Sequence, residues 1–151
     1  MAQSNNPLLS IRDLHISLPP GADRQHAVEA LTLDLARDEL LCLVGESGSG
    51  KSLPARSILA LLPGPRVQVS KGSIKFEGED LVKATPARMR AVRGSEISMI
   101  FKEPMTALNP LMRIGAQISE LIRAHEKTSA AARREKLIDL LRSVHLPDPD
   151  R

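Results

Sequence analysis

Tryptophan and tyrosine are absent from this 151-residue chain, and its aromatic side chains are two phenylalanines, Phe76 and Phe101. A surface that stacks on unpaired bases therefore has almost nothing to be built from. Charge of one sign is also scarce. The net charge is +3, with a pI near 9.4, and the excess is spread along the chain, so it does not mark nucleic acid as a partner. The arginines at 88, 90 and 93, and the basic residues at 133, 134 and 136, are interspersed with Glu96, Glu135 and Asp139, which reads as solvated helix faces. The single cysteine, Cys42, excludes an intrachain disulfide, and its setting in "LLCLV" reads as a small core residue in a reducing compartment. No apolar run approaches the roughly 20 residues of a membrane helix. The opening "MAQSNNPLLS" lacks the basic-then-apolar pattern of a secretory signal. The expectation is a cytosolic protein that meets a membrane only through a partner. Paired carboxylates, a nucleophile triad and zinc spacing are likewise missing.

What is present is 42% hydrophobic and 26% charged residues, the composition of one soluble globular domain or part of one. After a polar leader over 1–7, residues 8–18 and the stretch "HAVEALTLDLA" alternate in the β manner and predict two strands that pair. Residues 39–44, "ELLCLV", form a continuous apolar run, as in a strand buried on both faces of a parallel sheet. A helix is predicted over 51–62, where Ala55, Ile58, Leu59 and Leu62 share one face, and "PGP" stops it. Residues 72–78 predict a short strand. "TPARMRAVRG" predicts a short helix with Thr85 as N-cap, Pro86 at its first position and Gly94 past its end. Residues 96–101, "EISMIF", predict a second buried strand. Two amphipathic helices close the chain, one lined by Ile114, Ile118, Leu121 and Ile122, the other by Leu137, Ile138, Leu141 and Val144. The second starts near Thr128 or Ser129.

Between the apolar run and the first helix lies "GESGSGKS": Gly45, Glu46, Ser47, Gly48, Ser49, Gly50, Lys51 and Ser52. It matches G-x-x-x-x-G-K-[ST], the phosphate-binding loop, in its strand-before, helix-after context. Glycines let the backbone turn so that successive N–H groups point into one concavity. The following helix adds unpaired N–H groups and the positive end of its dipole. Lys51 supplies a full charge for β- and γ-phosphates, and the Ser52 hydroxyl can ligate Mg²⁺. The motif predicts binding of a nucleoside triphosphate, ATP in the reading below, with magnesium. Pro54 lies close enough to the helix start that its missing N–H costs little.

The loop alone leaves kinases, GTPases and several ATPase classes open. "ISMIFKEPMTALNPLMRIGAQISE" resembles the Q-loop region of the ATP-binding subunits of ABC transporters, in particular the oligopeptide, dipeptide and nickel importers. "GESGSGKS", "GSIKFEGEDL" and "RAVRGSEISMIF" are similar to that subfamily in the same order, so the resemblance runs from about residue 8 to 151. It implies an α/β P-loop NTPase of the ABC ATPase type, with three parts. An antiparallel β-subdomain would span 8–38, a P-loop core up to the Q-loop 39–104, and the start of a helical subdomain 105–151. It implies ATP and Mg²⁺ as ligands, a second ATPase subunit or domain, two membrane-spanning permease subunits and a substrate-binding protein as partners, and no nucleic acid. The implied place is the cytoplasmic face of the inner membrane, as a peripheral subunit. Residues 103–110 would lie where the ATPase touches the coupling helix of a permease.

The chain departs from the family pattern in three ways. Lys102 stands at the Q-loop position where the family has glutamine; a protonated lysine only donates, so slowed hydrolysis with binding retained is expected, against a lysine that merely points to solvent. No aromatic is available for adenine in the early segment, which leaves Gln25, His26 or Leu18, with His26 the candidate against a plain surface histidine. Finally, nothing resembles the "LSGGQ" signature, an apolar strand ending in Asp-Glu, or a later H-loop histidine. The expectation is a truncated cassette that cannot hydrolyse ATP alone, its two buried strands left without neighbours; the alternative is a non-catalytic nucleotide-binding remnant.

Overall fold

A computed structural model describes residues 6–102 and 108–148 of the chain. It divides into two compact units, Met1–Ile97 and Ser98–Arg151.

In the first unit, β1 (Leu9–Ser17) is flanked by β2 (His26–Leu35) and β3 (Gln68–Phe76), and β3 carries the short β4 (Glu79–Asp80). The sheet is antiparallel with order β2-β1-β3-β4. The first two predicted strands form and pair, and the third is longer than its glycine-bounded prediction. Ile11, Leu14 and Ile16 on β1 are fully buried with Ile74. The spacing of three between Ile11 and Leu14 breaks a period of two, and a bulge at Asp13 restores the inward face. There β1 advances from Ile11 to Leu14 while β2 moves only from Leu33 to Leu31, the geometry of one extra residue in one strand. Asp13 takes φ +45° for this, and Ala30 takes φ +50° at a second bulge, where Ile16 pairs with Val28.

The helix after the glycine loop, α1 (Ser52–Ile58), is shorter than predicted. Past its C-cap at Leu59, Ala60 takes a left-handed φ of +50°, and Leu61 N–H closes the turn on the Arg56 carbonyl at 2.8 Å. Arg93 then caps the end, donating from Nε to the Leu59 carbonyl at 2.8 Å and from Nη2 to the Ala60 carbonyl at 3.2 Å. A 3-10 turn (Leu81–Lys83) leads to α2 (Pro86–Val92). Here the predicted cap is realised: Thr85 Oγ1 accepts from Arg88 N–H at 3.2 Å, with Pro86 in the first turn. Leu81, Met89 and Val92 close the core over Ile11, Leu14, Ile16, Ile74 and Phe76.

The two runs expected to form buried parallel strands do not. Residues 39–44 and 98–101 carry no strand, and the parallel pairing among the described residues is an isolated bridge between Arg93 and Ile97. Leu40 is 88% exposed, Val44 89% and Ile100 95%. An isolated strand has no ladder partners for its backbone N–H and C=O groups, and no described segment offers them. Cys42 is exposed with this run, which corrects its reading as a core residue.

The second unit contains α3 (Ile114–His125) and α4 (Ala130–Ser143). Ser129 is the cap of α4, its hydroxyl accepting from Ala132 N–H at 3.2 Å. The start of α3 is braced by Gln117, which accepts from Asn109 N–H and donates to the Asn109 and Met112 carbonyls, each at 3.0 Å. Gly115 faces Leu137 across the two helices, where a Cβ would make ordinary contact with the leucine side chain at 3.4 Å. Ile122 is buried, whereas Ile114 and Leu121, expected on the same apolar face, are exposed; an ion pair between Lys136 and Glu126 further joins the two helices.

Candidate nucleotide site

The glycine loop is built on the start of β2. At Gly50, φ is +90°, and a Cβ there would stand 2.6 Å from the Ala27 carbonyl oxygen. Only glycine permits that approach and that backbone. Ser49 N–H turns back onto the Glu46 carbonyl at 3.3 Å, and Leu53 N–H onto the Gly50 carbonyl at 3.0 Å. Among the described residues, the amides of Ser47, Gly48, Gly50, Lys51 and Ser52 donate to no carbonyl. A row of unpartnered N–H groups on a tight loop attracts anions.

Lys51 folds back over this loop. Its ammonium donates to the Gly45 carbonyl at 2.7 Å, to the Glu46 carbonyl, and to the Ser49 hydroxyl at 3.2 Å. All three of its hydrogens are thus held by loop oxygens. The positive charge is held on the loop itself, and an incoming phosphate would exchange those acceptors for its own oxygens. The Ser52 hydroxyl is exposed at the first position of α1. One hydroxyl suits Mg²⁺, which takes most of its octahedral shell from water and phosphate oxygens. No group of three or more His, Cys, Asp or Glu among the described residues could hold a metal by itself. The donor set fits a magnesium that arrives with a phosphate chain.

The other candidates are placed as follows. His26 opens β2, one residue before the carbonyl beneath Gly50, and its ring meets His15 edge to face with centroids 5.5 Å apart. Leu18 and Gln25 close the β1–β2 connection through a hydrogen bond from Leu18 N–H to the Gln25 carbonyl at 3.0 Å. Lys102 is exposed and belongs to the second unit. Of the stretch read as the permease contact, residues 103–107 lie outside the described residues, while Leu108, Asn109 and Pro110 are exposed. The sequence gives no hint of Arg24, whose guanidinium donates to the Gly48 carbonyl at 3.0 Å. A contact across 24 positions leaves no local spacing to read.

The family model described as ABC transporter matches residues 28–150. The peptidoglycan transport ATP-binding protein YejF of Agrobacterium fabrum is 43% identical over 152 residues, covering 100% of this chain and 28% of that protein. The oligopeptide transport ATP-binding protein OppD of Bacillus subtilis is 42% identical over 95% of this chain and 40% of its own length. The probable D,D-dipeptide transport ATP-binding protein DdpD of Escherichia coli is 45% identical, over 94% and 43%. The chain therefore spans less than half the length of these relatives. In fold it is similar to a bacterial ABC transporter cassette solved as a dimer, with TM-score 0.76, 19% identity, and coverage of 93% of this chain and 58% of that one. It is also similar to CbiO1 from Clostridium perfringens, with TM-score 0.66, 18% identity, and coverage of 95% and 52%.

Proposed function

This chain belongs to the ABC transporter family, and on that premise we propose that it is the nucleotide-binding portion of an ATP-binding subunit that energises import of peptides. The observation that carries the proposal is the loop of residues 45–52, with unpartnered amides, a fixed Lys51 ammonium and an exposed Ser52 hydroxyl. Relatives named for oligopeptide, D,D-dipeptide and dipeptide transport support the cargo class; nickel is the alternative cargo.

In this reading the amides of the loop bind the phosphate chain and Lys51 neutralises its β and γ charge. Ser52 would hold Mg²⁺, which when bound screens the phosphates during transfer. His26, at the head of β2, would face the base. The complete subunit would work beside a second ATPase subunit, two permease subunits and a substrate-binding protein, at the cytoplasmic face of the inner membrane. No helix among the described residues is long and apolar enough to cross a membrane, which fits a peripheral attachment. Lys102, in place of the family's glutamine, would slow hydrolysis and leave binding intact. In a full-length version Lys102→Gln is expected to raise turnover several-fold with unchanged ATP affinity; equal rates with the two residues would refute that role.

The exposure of Leu40, Val44 and Ile100 favours a second reading, a non-catalytic nucleotide-binding remnant. One experiment addresses both. The purified chain is incubated with Mg-ATP, and bound nucleotide and released phosphate are measured together, with and without a polypeptide supplying the remainder of a relative's cassette. Import function predicts binding in either case and phosphate release only with the added half. The remnant reading predicts no release in either case.

A further inference from the structure

The connection between β1 and β2 carries a second cation to the glycine loop. Leu18 N–H on the Gln25 carbonyl at 3.0 Å joins its two ends, and Ala22 N–H on the Pro19 carbonyl at 3.2 Å closes a turn within it. Consecutive prolines at 19 and 20 fix φ and lower the entropy lost on ordering it. From this arm Arg24 donates through Nη2 to the Gly48 carbonyl at 3.0 Å. Gly48 is the open tip of the loop, with φ +81° and nothing within 4 Å of where a Cβ would stand. Arg24 uses one of its five donors there, and among the described residues it enters no ion pair. The acidic residues nearest in sequence to it and to the tip, Asp23 and Glu46, are not paired with it. An unneutralised guanidinium therefore lies against the backbone of the same loop that holds the Lys51 ammonium.

We propose that Arg24 is a second cation of the nucleotide site, a specificity-determining residue whose charge favours nucleoside triphosphates over monophosphates. The proposal rests on the reading of residues 45–52 as a nucleotide site. A charge on an exposed arm acts on a bound polyanion within about one Debye length, ~10 Å at 0.1 M salt. Its attraction grows with each phosphate charge, so its loss falls hardest on ATP, less on ADP and least on AMP.

Arg24→Gln removes the charge and leaves a shorter polar side chain on the arm; Arg24→Lys keeps the charge and removes the planar fork. Calorimetric titration of the whole chain at low salt with ATP, ADP and AMP in the absence of magnesium, where each further phosphate adds a negative charge, is the test. Arg24→Gln is expected to weaken ATP binding by about 2–5-fold, a range set by the modest strength of exposed charge interactions. AMP binding stays within the error, Arg24→Lys matches the unaltered chain, and the ATP difference fades at 0.5 M salt, where the Debye length falls to ~4 Å. Equal weakening for all three nucleotides, or none, would overturn the proposal, the former marking Arg24 as a brace of the loop tip. Lys51→Ala separates the two levels of the argument. If the unaltered chain binds ATP, Lys51→Ala does not, and Arg24→Gln binds normally, the nucleotide site stands and the Arg24 proposal fails. If the unaltered chain binds none of the three, both fail.

Discussion

Gly72 shows what a single residue position can enforce. It faces the bulge at Asp13 with φ +98°, and a Cβ there would stand 2.4 Å from the Asp13 carbonyl oxygen and 2.6 Å from that of Arg12. Backbone cannot yield as a side chain tip does, so Gly72→Ala must either strain the bulge or open the β1–β3 ladder. The expected loss is about 1–3 kcal/mol, the scale of a strained backbone position, read as a lower urea midpoint; an unchanged midpoint would show that the strands part freely here. Gly50 over the Ala27 carbonyl is the same case inside the candidate site. Residues 45–52 were legible in the sequence because their chemistry is local, with the glycines, the lysine and the serine adjacent along the chain. The partners of that loop, Ala27 and Arg24, come from a segment more than 20 positions earlier, and nothing in their identity announces the contact. His26 was singled out for its ring, yet that ring is also engaged with His15, a pairing set by the register of Ser17 against His26.

Among the elements, α2 is the junction of the first unit. Its Arg88 guanidinium is shared between Glu79 and Glu96, and Arg93, just beyond it, caps α1. Replacing Arg93 by alanine strands two helix-end carbonyls, and a loss of about 1–2 kcal/mol is expected for a charged hydrogen bond that is partly exposed. Equal urea midpoints for Arg93→Ala and the unaltered chain would contradict the cap. The Arg88 hydrogen bonds hold the Glu96 carboxyl below its ordinary value. Lys71 does the same for Asp13, with His15 assisting, and Arg12 for Asp34. A carboxylate whose folded value is depressed stabilises the fold above its unfolded value and ceases to do so as pH falls through the folded one. The stability conferred by these three groups should therefore be flat above about pH 5 and decline below about pH 4. Glu96→Gln should differ from the unaltered chain in midpoint at pH 7 and converge with it in strong acid; a difference that persists there would mean that the effect is not one of charge. The α2 helix was legible because Thr85, Pro86 and Gly94 are signals within one short stretch. The runs at 39–44 and 96–101 were expected as strands without neighbours and form no strand, because a buried strand is specified by neighbours in space as well as by its own apolar composition, and the described residues contain no such neighbours.

At the scale of the whole molecule, the sheet and its core are complete in themselves, while the run that precedes the glycine loop is bare. Cys42 reports on that state. With its thiol exposed, it should react with a disulfide reagent in native buffer at a rate within several-fold of that in denaturant. Labelling only after denaturation would mean that residues 39–44 are covered. Addition of the remainder of a relative's cassette, if it supplies the flanking strands, should slow that labelling at least tenfold. The family and its fold were legible from the order of four motifs, and the missing neighbours of the two apolar runs were expected from the absent motifs; that neither run keeps any strand at all was not, because composition says nothing of what a segment will find to pair with. The proposed function depends most on the loop of residues 45–52 binding nucleotide. The direct measurement is the backbone amide spectrum of the isotopically labelled chain, titrated with Mg-ATP. Shifts concentrated at Ser47, Gly48, Gly50, Lys51 and Ser52, and absent from Lys51→Ala, are the predicted result; a loop whose amides do not move at millimolar Mg-ATP would contradict it.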